Sequence, residues 1–248
     1  MNIYGKKWER LIWVATDALE DYIYPPRCLG CDELLLPGMS ICKQCNCVIR
    51  RVKEPACKKC GKPLKYQREE YCSDCAGKEH KFRQGKAVFV YEGKIRQSMY
   101  RFKYSNRREY AAFYAKEAVS LHKDWIKRRK VEVIIPIPMY QAKKRRRGYN
   151  QAEVFATALG RELAMPVDTK VVKRIRNTVP QKELNDWERR HNLKNAFQLV
   201  SDIVRYKEIL LVDDIYTTGS TMDAVAEVLL SGGAKNVYYI CVSIGTGY

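Results

Sequence analysis

A chain of 248 residues, 46% of them hydrophobic, has ample apolar material for one large or two small domains. No stretch approaches the about 18 consecutive apolar residues of a membrane helix, and acids interrupt the N-terminal apolar pattern, which therefore lacks the uninterrupted apolar core of a secretory signal peptide. We therefore expect a cytoplasmic protein without a membrane span. The formal net charge is +18, of which residues 81–248 contribute +15. Such an excess indicates a polyanionic partner, either nucleic acid or a phosphorylated small molecule, although a highly soluble surface is the alternative.

The first predicted element is an amphipathic helix within residues 1–24. Apolar side chains recur there at spacings of three and four, and Pro25 and Pro26 end the pattern. Residues 25–80 have little apolar periodicity and hold eight of the ten cysteines as four CxxC pairs. Paired cysteines in a cytosolic protein more often bind metal than form disulfides, although a secreted disulfide framework is the alternative. A segment with so little apolar surface needs bound metal or disulfides to fold.

The eight cysteines suffice for two tetrahedral four-thiolate zinc sites, and a site of this kind leaves no open position for catalysis. We therefore predict a double zinc ribbon over residues 25–80 with one or two structural zinc ions. Sequential and interleaved pairing of the CxxC turns fit the spacing equally well. The predicted ligands are Cys28, Cys31, Cys42, Cys45, Cys57, Cys60, Cys72 and Cys75.

Strand and helix patterns alternate from residue 86 onward, which predicts an α/β domain over residues 81–248 with a parallel sheet and flanking helices. We expect strands at "KAVFVYEG", "VEVIIPIP", 208–212 and 237–243. Helices are expected at 95–104, 110–125, 150–163 and 222–230.

The stretch "QAKKRRRGYN" is predicted to be a basic loop. Its charge density can neutralise several phosphates, and the tyrosine that follows can stack on a base, although basic runs are also common in solvated loops. This loop is our candidate for contact with diphosphate, single-stranded DNA or both. The candidate nucleic-acid residues are Lys143, Lys144, Arg145, Arg146, Arg147 and Tyr149.

The stretch "EILLVDDIYTTGSTM" places two acids at the end of a hydrophobic strand and a hydroxyl-rich turn before a helix. Ligands of open parallel sheets bind at the carboxyl ends of the strands, and backbone N–H groups at a helix N-terminus bind phosphate. The lysine of a GxxxxGK[ST] loop is missing, which disfavours a nucleotide triphosphatase. A sugar phosphate fits better, because the acids can accept hydrogen bonds from ribose hydroxyls while the turn holds the 5-phosphate.

This stretch resembles the phosphoribosyl pyrophosphate (PRPP) motif of type I phosphoribosyltransferases. The resemblance assigns Asp213 and Asp214 to the ribose hydroxyls and the magnesium shell, as the catalytic acids. It assigns residues 136–139 to the pyrophosphate loop, and Lys103 and Arg147 to the diphosphate. The turn that would bind the 5-phosphate comprises Thr217, Thr218, Gly219, Ser220 and Thr221.

The stretches "IYPPRCLGC", "RGYNQ" and "RIRNTVPQKELNDWERRHNLKNAF" resemble the ComF family of late-competence proteins, which combine a double zinc ribbon with a phosphoribosyltransferase-like domain. The matching signature residues are Arg174, Gln181, Arg189 and Asn192. The resemblance covers about residues 20–245 and implies structural zinc, and magnesium with PRPP.

Three functions remain open at this point. The first is a DNA-uptake factor that binds PRPP and, with its basic surface and zinc ribbons, single-stranded DNA. The second is an active phosphoribosyltransferase with an unknown acceptor. The third is a regulator in which PRPP binding without turnover controls association with a partner helicase or another competence protein.

Overall fold

The structure is a computed structural model that describes residues 25–176, 195–200 and 204–246. The predicted helix within residues 1–24 lies outside the described residues, as do Gln181, Arg189 and Asn192. Among the described helices, none combines the length and the apolar character that a membrane crossing requires.

Contacts divide the chain into two compact units, Met1–Ile49 and Arg50–Tyr248. The first two CxxC pairs belong to the first unit and the last two to the second. The predicted domains follow the sequence motifs instead, with a boundary at residue 80. The contact division means that the second group of cysteines packs in the same unit as the sheet.

The helices and strands follow in chain order. The first unit holds α1 (Lys43–Val48). The helices of the second unit are α2 (Ser73–Ala76), α3 (Gly93–Tyr104), α4 (Tyr110–Arg128), α5 (Gln141–Arg147), α6 (Gln151–Leu163) and α7 (Ser220–Ser231). Its strands are β1 (Gln84–Val90), β2 (Val133–Pro136), β3 (Val172–Arg174), β4 (Phe197–Leu199), β5 (Glu208–Tyr216) and β6 (Asn236–Ile244).

A four-stranded parallel sheet in the order β1–β6–β5–β2 forms the centre of the second unit. Its central strands are buried: Ile209–Val212 of β5 has no exposed surface. Parallel strands covered on both faces read as continuous aliphatic runs, which explains the run at the start of β5. The predicted parallel sheet with flanking helices is confirmed. A separate antiparallel pair joins β3 and β4.

The helices pack on this sheet and on each other. Helix α4 packs against α6 and β1, α6 also contacts β2 and β5, and α7 packs against β6 and β4. Asn150 caps the N-terminus of helix α6, and its side chain accepts a hydrogen bond from the N–H of Ala152 at 3.1 Å. The amide of Asn150 also donates to the carbonyl of Ile137 at 2.9 Å, which ties the helix start to the end of β2.

The basic segment 141–147 is helical, whereas the sequence analysis predicts a loop. Lysine, arginine, glutamine and alanine all favour helices, and the segment contains no other residue types. The helix ends at Gly148, which adopts a left-handed conformation with φ of 87° and donates its N–H to the carbonyl of Lys144. Helix α5 therefore presents its charges from a fixed backbone.

The second group of cysteines is part of the main hydrophobic core. Cys57 and Cys60 have no exposed surface and belong to the same buried cluster as the side chains of β5, β6 and α7. The Tyr239 hydroxyl of β6 donates to the carbonyl of Cys60 at 2.6 Å. This cysteine cluster is thus anchored directly to the sheet that carries the acid pair.

Candidate functional site

The acid pair lies in the last four residues of β5. The Lys103 ammonium of α3 forms an ion pair with Asp214, with 2.9 Å between Nζ and Oδ2. Both side chains are mostly buried, at 21% and 13% exposure. Lys103, which is predicted to contact the diphosphate, therefore contacts Asp214, which is predicted to contact the ribose.

Burial and mutual repulsion determine the protonation of Asp213. Burial and the neighbouring carboxylate of Asp214 raise the pKa of Asp213 to about 7, although Lys103 and Arg174 partly offset this effect. The carboxylate of Asp213 also accepts a hydrogen bond from the N–H of Asp214 at 2.8 Å. Burial opposes the charge of Lys103, but attraction by Asp214 and Asp213 outweighs it, so its pKa is raised. Asp213 therefore titrates close to neutral pH, where small changes in the surrounding charge decide its state.

A cationic cavity of about 190 Å³ opens beside Lys103. Its other lining residues are Tyr104 of α3 and Lys143, Arg146 and Arg147 of α5. The structure thus brings Lys103 and Arg147, both predicted diphosphate contacts, to one cavity. Several cations around a small cavity are suited to a ligand that carries several phosphate charges.

Charge crowding extends beyond the cavity lining. Burial lowers the pKa of Lys143, and repulsion from Arg174, Arg147 and Arg146 adds to this effect. Burial likewise lowers the pKa of Arg174, which is attracted to Asp213. Arg174 therefore belongs electrostatically to both the acid pair and the cations. The signature residue Arg174 thus interacts with Asp213 of the acid pair and with Lys143 of the cationic cavity.

The hydroxyl-rich turn leads from β5 into α7, as predicted. Gly219 precedes the helix with φ of 82°, a conformation that favours glycine. A β-carbon at this position would lie 2.4 Å from the Tyr216 hydroxyl. The hydroxyls of Thr218 and Ser220 lie 3.1 Å apart. The turn therefore combines a bare backbone, hydroxyls and the N-terminal end of a helix, which are the elements of a phosphate site.

The segment that follows the second cysteine group supports this turn. His80 Nδ1 lies 2.8 Å from Asp223 Oδ2 in the first turn of α7, and the N–H of Lys81 donates to the other carboxylate oxygen at 2.9 Å. Lys78 Nζ donates to the carbonyl of Thr218 at 3.3 Å. His80 stacks on Phe82, with 4.6 Å between ring centroids. No local sequence pattern links these supporting residues to the turn, because they lie some 140 residues before it.

Residues 136–139 begin with the last residue of β2 and lie beside the acid pair. Pro136 pairs with Val212 in the sheet, and the N–H of Ile137 donates to the carbonyl of Val212 at 2.9 Å. The segment predicted to form the pyrophosphate loop is therefore the immediate neighbour of Asp213.

The candidate nucleic-acid residues differ in their surroundings. Arg145 is exposed, whereas Lys144 forms an ion pair with Glu153 at 2.6 Å and Arg147 donates to Gln151 at 2.6 Å. The basic run is thus not a uniform solvated surface, because several of its charges are already paired or face the cavity.

Tyr149 requires a correction. Its side chain is buried, its hydroxyl donates to the carbonyl of Phe102, and the Arg108 guanidinium lies over its ring at 4.5 Å from the centroid. Both the ring face and the hydroxyl are therefore engaged within the protein. Tyr149 is not available to stack on a base, contrary to the prediction from sequence.

Two other tyrosines are exposed in the same neighbourhood. Tyr100 and Tyr104 of α3 are 64% and 62% exposed, and their ring centroids lie 5.0 Å apart. Arg147 lies over the Tyr104 ring at 4.9 Å. The sequence does indicate this pairing, because residues four apart in a predicted helix lie on the same face of that helix.

The cysteines form two groups in sequential pairing, which settles the question that the spacing leaves open. In each group all four sulfur atoms lie within 4.8 Å of one another. Two measured separations are 3.9 Å between Cys31 and Cys42 and 3.6 Å between Cys60 and Cys72. Tetrahedral zinc with bonds of about 2.3 Å separates its sulfur ligands by about 3.8 Å, so both groups fit this ion. The groups are Cys28, Cys31, Cys42 and Cys45, and Cys57, Cys60, Cys72 and Cys75.

Family models match both parts of the chain. A double zinc ribbon domain matches residues 19–76, and a phosphoribosyl transferase domain matches residues 149–246. The first match spans both cysteine groups. The second contains β5, the acid pair and the turn into α7.

Known proteins resemble the chain over most of its length. Competence protein F of Haemophilus influenzae is 31% identical over 217 residues, which cover 85% of this chain and 93% of that protein. DNA utilization protein YhgH of Salmonella typhimurium is 29% identical, with 87% of this chain and 88% of that protein covered. Competence protein ComFC of Streptococcus pneumoniae is 28% identical, with coverage of 79% and 84%. The chain therefore belongs to the ComF family, whose members combine a double zinc ribbon with a phosphoribosyltransferase-like domain.

Proposed function

We propose that the protein binds PRPP with magnesium at the end of β5. The observation that carries this proposal is the ion pair between Lys103 and Asp214 at 2.9 Å. It joins the acid pair to a cavity lined by four cationic side chains. The acid pair favours the hydroxyl groups of a ribose, and the cationic cavity favours the diphosphate that the ribose carries.

Each part of the ligand has a matching part of the chain. The carboxylates of Asp213 and Asp214 accept hydrogen bonds from the ribose hydroxyls, and the turn 217–221 binds the 5-phosphate through backbone N–H groups and hydroxyls. Lys103 and Arg147 contact the diphosphate. Lys103 also holds the Asp214 carboxylate in place when no ligand is bound.

Magnesium fits this donor set. The ion commonly uses one or two carboxylates together with substrate phosphates, and the acid pair beside the cationic cavity offers the carboxylate part. When bound, magnesium neutralises charge on the diphosphate. Because the pKa of Asp213 is raised to about 7, full ionisation of this residue requires a pH above neutral or a nearby cation. Magnesium binding is therefore linked to loss of a proton from Asp213.

We also propose that the protein acts in DNA uptake and binds single-stranded DNA. Relatives are named for competence and DNA utilization. The charge of +18 and the arginines and lysines of α5 support binding to a phosphate backbone. The partner proposed for the regulator is a helicase or another protein of the competence machinery. Co-purification of the helicase with and without PRPP tests that part.

An active phosphoribosyltransferase with an unknown acceptor and a PRPP-sensing regulator both use the proposed PRPP site. The cationic cavity favours departure of diphosphate through electrostatic stabilisation, as an enzyme requires. Pyrophosphate release that begins when an acceptor is added would distinguish the enzyme from a regulator, which binds PRPP without turnover.

We further propose that each cysteine group holds one structural zinc ion. Four thiolates close the coordination sphere, so neither ion takes part in chemistry. Metal analysis of the purified full chain should give two zinc atoms per molecule. A folded protein without zinc would contradict this proposal.

Thermal unfolding of the zinc-loaded full chain tests the PRPP site. A ligand that binds only the folded state raises the melting temperature. PRPP with magnesium should therefore stabilise the protein, and Asp214→Ala should remove the effect. The absence of any shift in the unmutated protein at millimolar PRPP would refute the site.

A further inference from the structure

The exposed face of α3 carries an aromatic pair beside the cationic cavity. Tyr100 and Tyr104 are among the exposed large hydrophobic side chains of the described residues, and their rings lie 5.0 Å apart at an angle of 46°. The two rings shield part of each other from water, although both side chains remain outside the hydrophobic core. Neighbouring rings of this kind mark interaction surfaces more often than isolated ones do.

The two tyrosines of this pair line two different cavities. Tyr104 lines the cationic cavity of about 190 Å³. Tyr100 lines a second cavity of about 470 Å³, together with Tyr91, Arg96, Gln97 and Arg101. The tyrosines therefore stand between a site lined by lysine and arginine and a larger groove that also contains arginine.

Cations lie next to the aromatic rings on this surface. Arg147 of α5 lies over the Tyr104 ring at 4.9 Å from the centroid, and Arg146 lines the cavity next to it. A strand of nucleic acid presents phosphates at regular intervals with bases between them. Proteins that bind single strands match this pattern with a positively charged groove and aromatic platforms. Duplex DNA does not fit, because its bases are already stacked on each other.

We infer that Tyr100 and Tyr104 form the base-stacking platform of a single-stranded DNA site that runs from the larger groove to the cationic cavity. This inference rests on the proposed DNA binding and gives it a location. The platform replaces Tyr149, whose side chain is buried, whereas Tyr104 is 62% exposed. It also places the strand at the mouth of the proposed PRPP site, because Tyr104 and Lys103 line the same cavity.

The inference separates two components of affinity that can be measured independently. Stacking requires bases, whereas attraction to phosphates does not and depends on salt. The probes are a fluorescent oligo(dT) of about 15 nucleotides, near the upper end of the site sizes of single-strand binding folds, and an abasic oligomer of the same length and charge. Binding of both to the full zinc-loaded chain is followed by fluorescence anisotropy at several salt concentrations.

The unmutated protein should bind oligo(dT) roughly tenfold more tightly than the abasic oligomer. In the double variant Tyr100→Leu/Tyr104→Leu this preference should disappear, while the salt dependence stays the same because no phosphate contact is lost. The variant Tyr100→Phe/Tyr104→Phe retains the rings and should retain the preference. Since both positions are exposed, an unchanged melting temperature is expected and serves as the folding check.

Tyr66→Leu provides the matched control. Tyr66 is 46% exposed, and Lys65 and Arg68 lie over its ring, so it offers a second exposed tyrosine in basic surroundings. The inference is overturned if Tyr66→Leu removes the base preference, or if the Tyr100→Leu/Tyr104→Leu variant keeps it. Failure of the unmutated protein to bind either oligomer would refute the proposed DNA binding itself, and the platform with it.

Discussion

Lys103 of α3 and Asp214 of β5 form an ion pair between distant parts of the sequence, with 2.9 Å between Nζ and Oδ2. The lysine has a raised pKa because attraction by Asp214 and Asp213 outweighs the effect of burial. The pair fixes the orientation of the acid and holds a positive charge at the cationic cavity. Loss of either partner would leave the other charge mostly buried and unpaired, at the edge of the proposed ligand site.

We predict that Lys103→Met lowers the free energy of unfolding by about 1 to 3 kcal/mol, because it leaves a mostly buried carboxylate without its partner. It should also weaken PRPP binding. Denaturant unfolding and calorimetry measure the two effects.

The variant Lys103→Met/Asp214→Asn is the control for this prediction. Removal of both charges should restore part of the lost stability, because no unpaired acid remains. PRPP binding should not recover. Additive losses of stability in the double variant would show that the two residues do not interact.

Asp213 should make folding dependent on pH in the ligand-free protein. Its pKa is raised from 3.8 to about 7 by burial and by Asp214, so the folded state binds a proton that the unfolded state has released above about pH 4. The destabilisation caused by its charge is therefore complete above about pH 7 and declines as the pH falls towards about 4.

Asp213→Asn removes this charge. We expect it to stabilise the ligand-free protein by about 1 to 3 kcal/mol at about pH 8, with a smaller gain at about pH 5. Urea unfolding at the two pH values measures the difference. A gain that is equal at both pH values, or a loss at the higher pH, would argue against a raised pKa.

Gly219 should tolerate no side chain. Gly219→Ala combines a φ of 82° with a β-carbon 2.4 Å from the Tyr216 hydroxyl, so the turn must shift. We predict a loss of about 1 to 3 kcal/mol in stability and strongly reduced PRPP binding. Gly77→Ala is the matched control, because a β-carbon there would meet no atom within 4 Å and the φ of Gly77 is −110°. Similar behaviour of the two variants would contradict the assigned role of the turn.

The two cysteine groups should differ in their effect on the sheet. Cys60 is fully buried in the core shared with β5, β6 and α7, whereas Cys31 belongs to the other compact unit. We predict that Cys60→Ser lowers the melting temperature of the sheet-containing unit and weakens PRPP binding, while Cys31→Ser affects neither.

Zinc content provides the control for this comparison. Each substitution should reduce the proposed two zinc ions per chain to one, which metal analysis measures. Equal losses of PRPP affinity in the two variants would show that the second cysteine group supports the turn 217–221 no more than the first group does.

Local sequence patterns account for much of the fold. The aliphatic run of β5, the acids after it and the helix pattern that follows all act within a few residues, and the structure places β5 and α7 accordingly. Helix α5 was also accessible from sequence, since all its residues favour helices and Gly148 ends it.

Contacts between distant segments could not be predicted in this way. The burial of Tyr149 depends on Phe102 and Arg108, which approach it only when α3 and α6 have packed. The contact between His80 and Asp223, which supports the turn 217–221, likewise joins segments 143 residues apart. Sequence spacing identifies residue types that suit a ligand, but tertiary packing decides which of them face it.

Isothermal titration calorimetry of the zinc-loaded full chain with PRPP and magnesium tests the central proposal most directly. We predict saturable binding of one PRPP per chain that requires magnesium, and loss of the binding heat in Asp214→Ala. No binding by the unmutated protein, or equal binding by Asp214→Ala, would contradict a PRPP site at the end of β5.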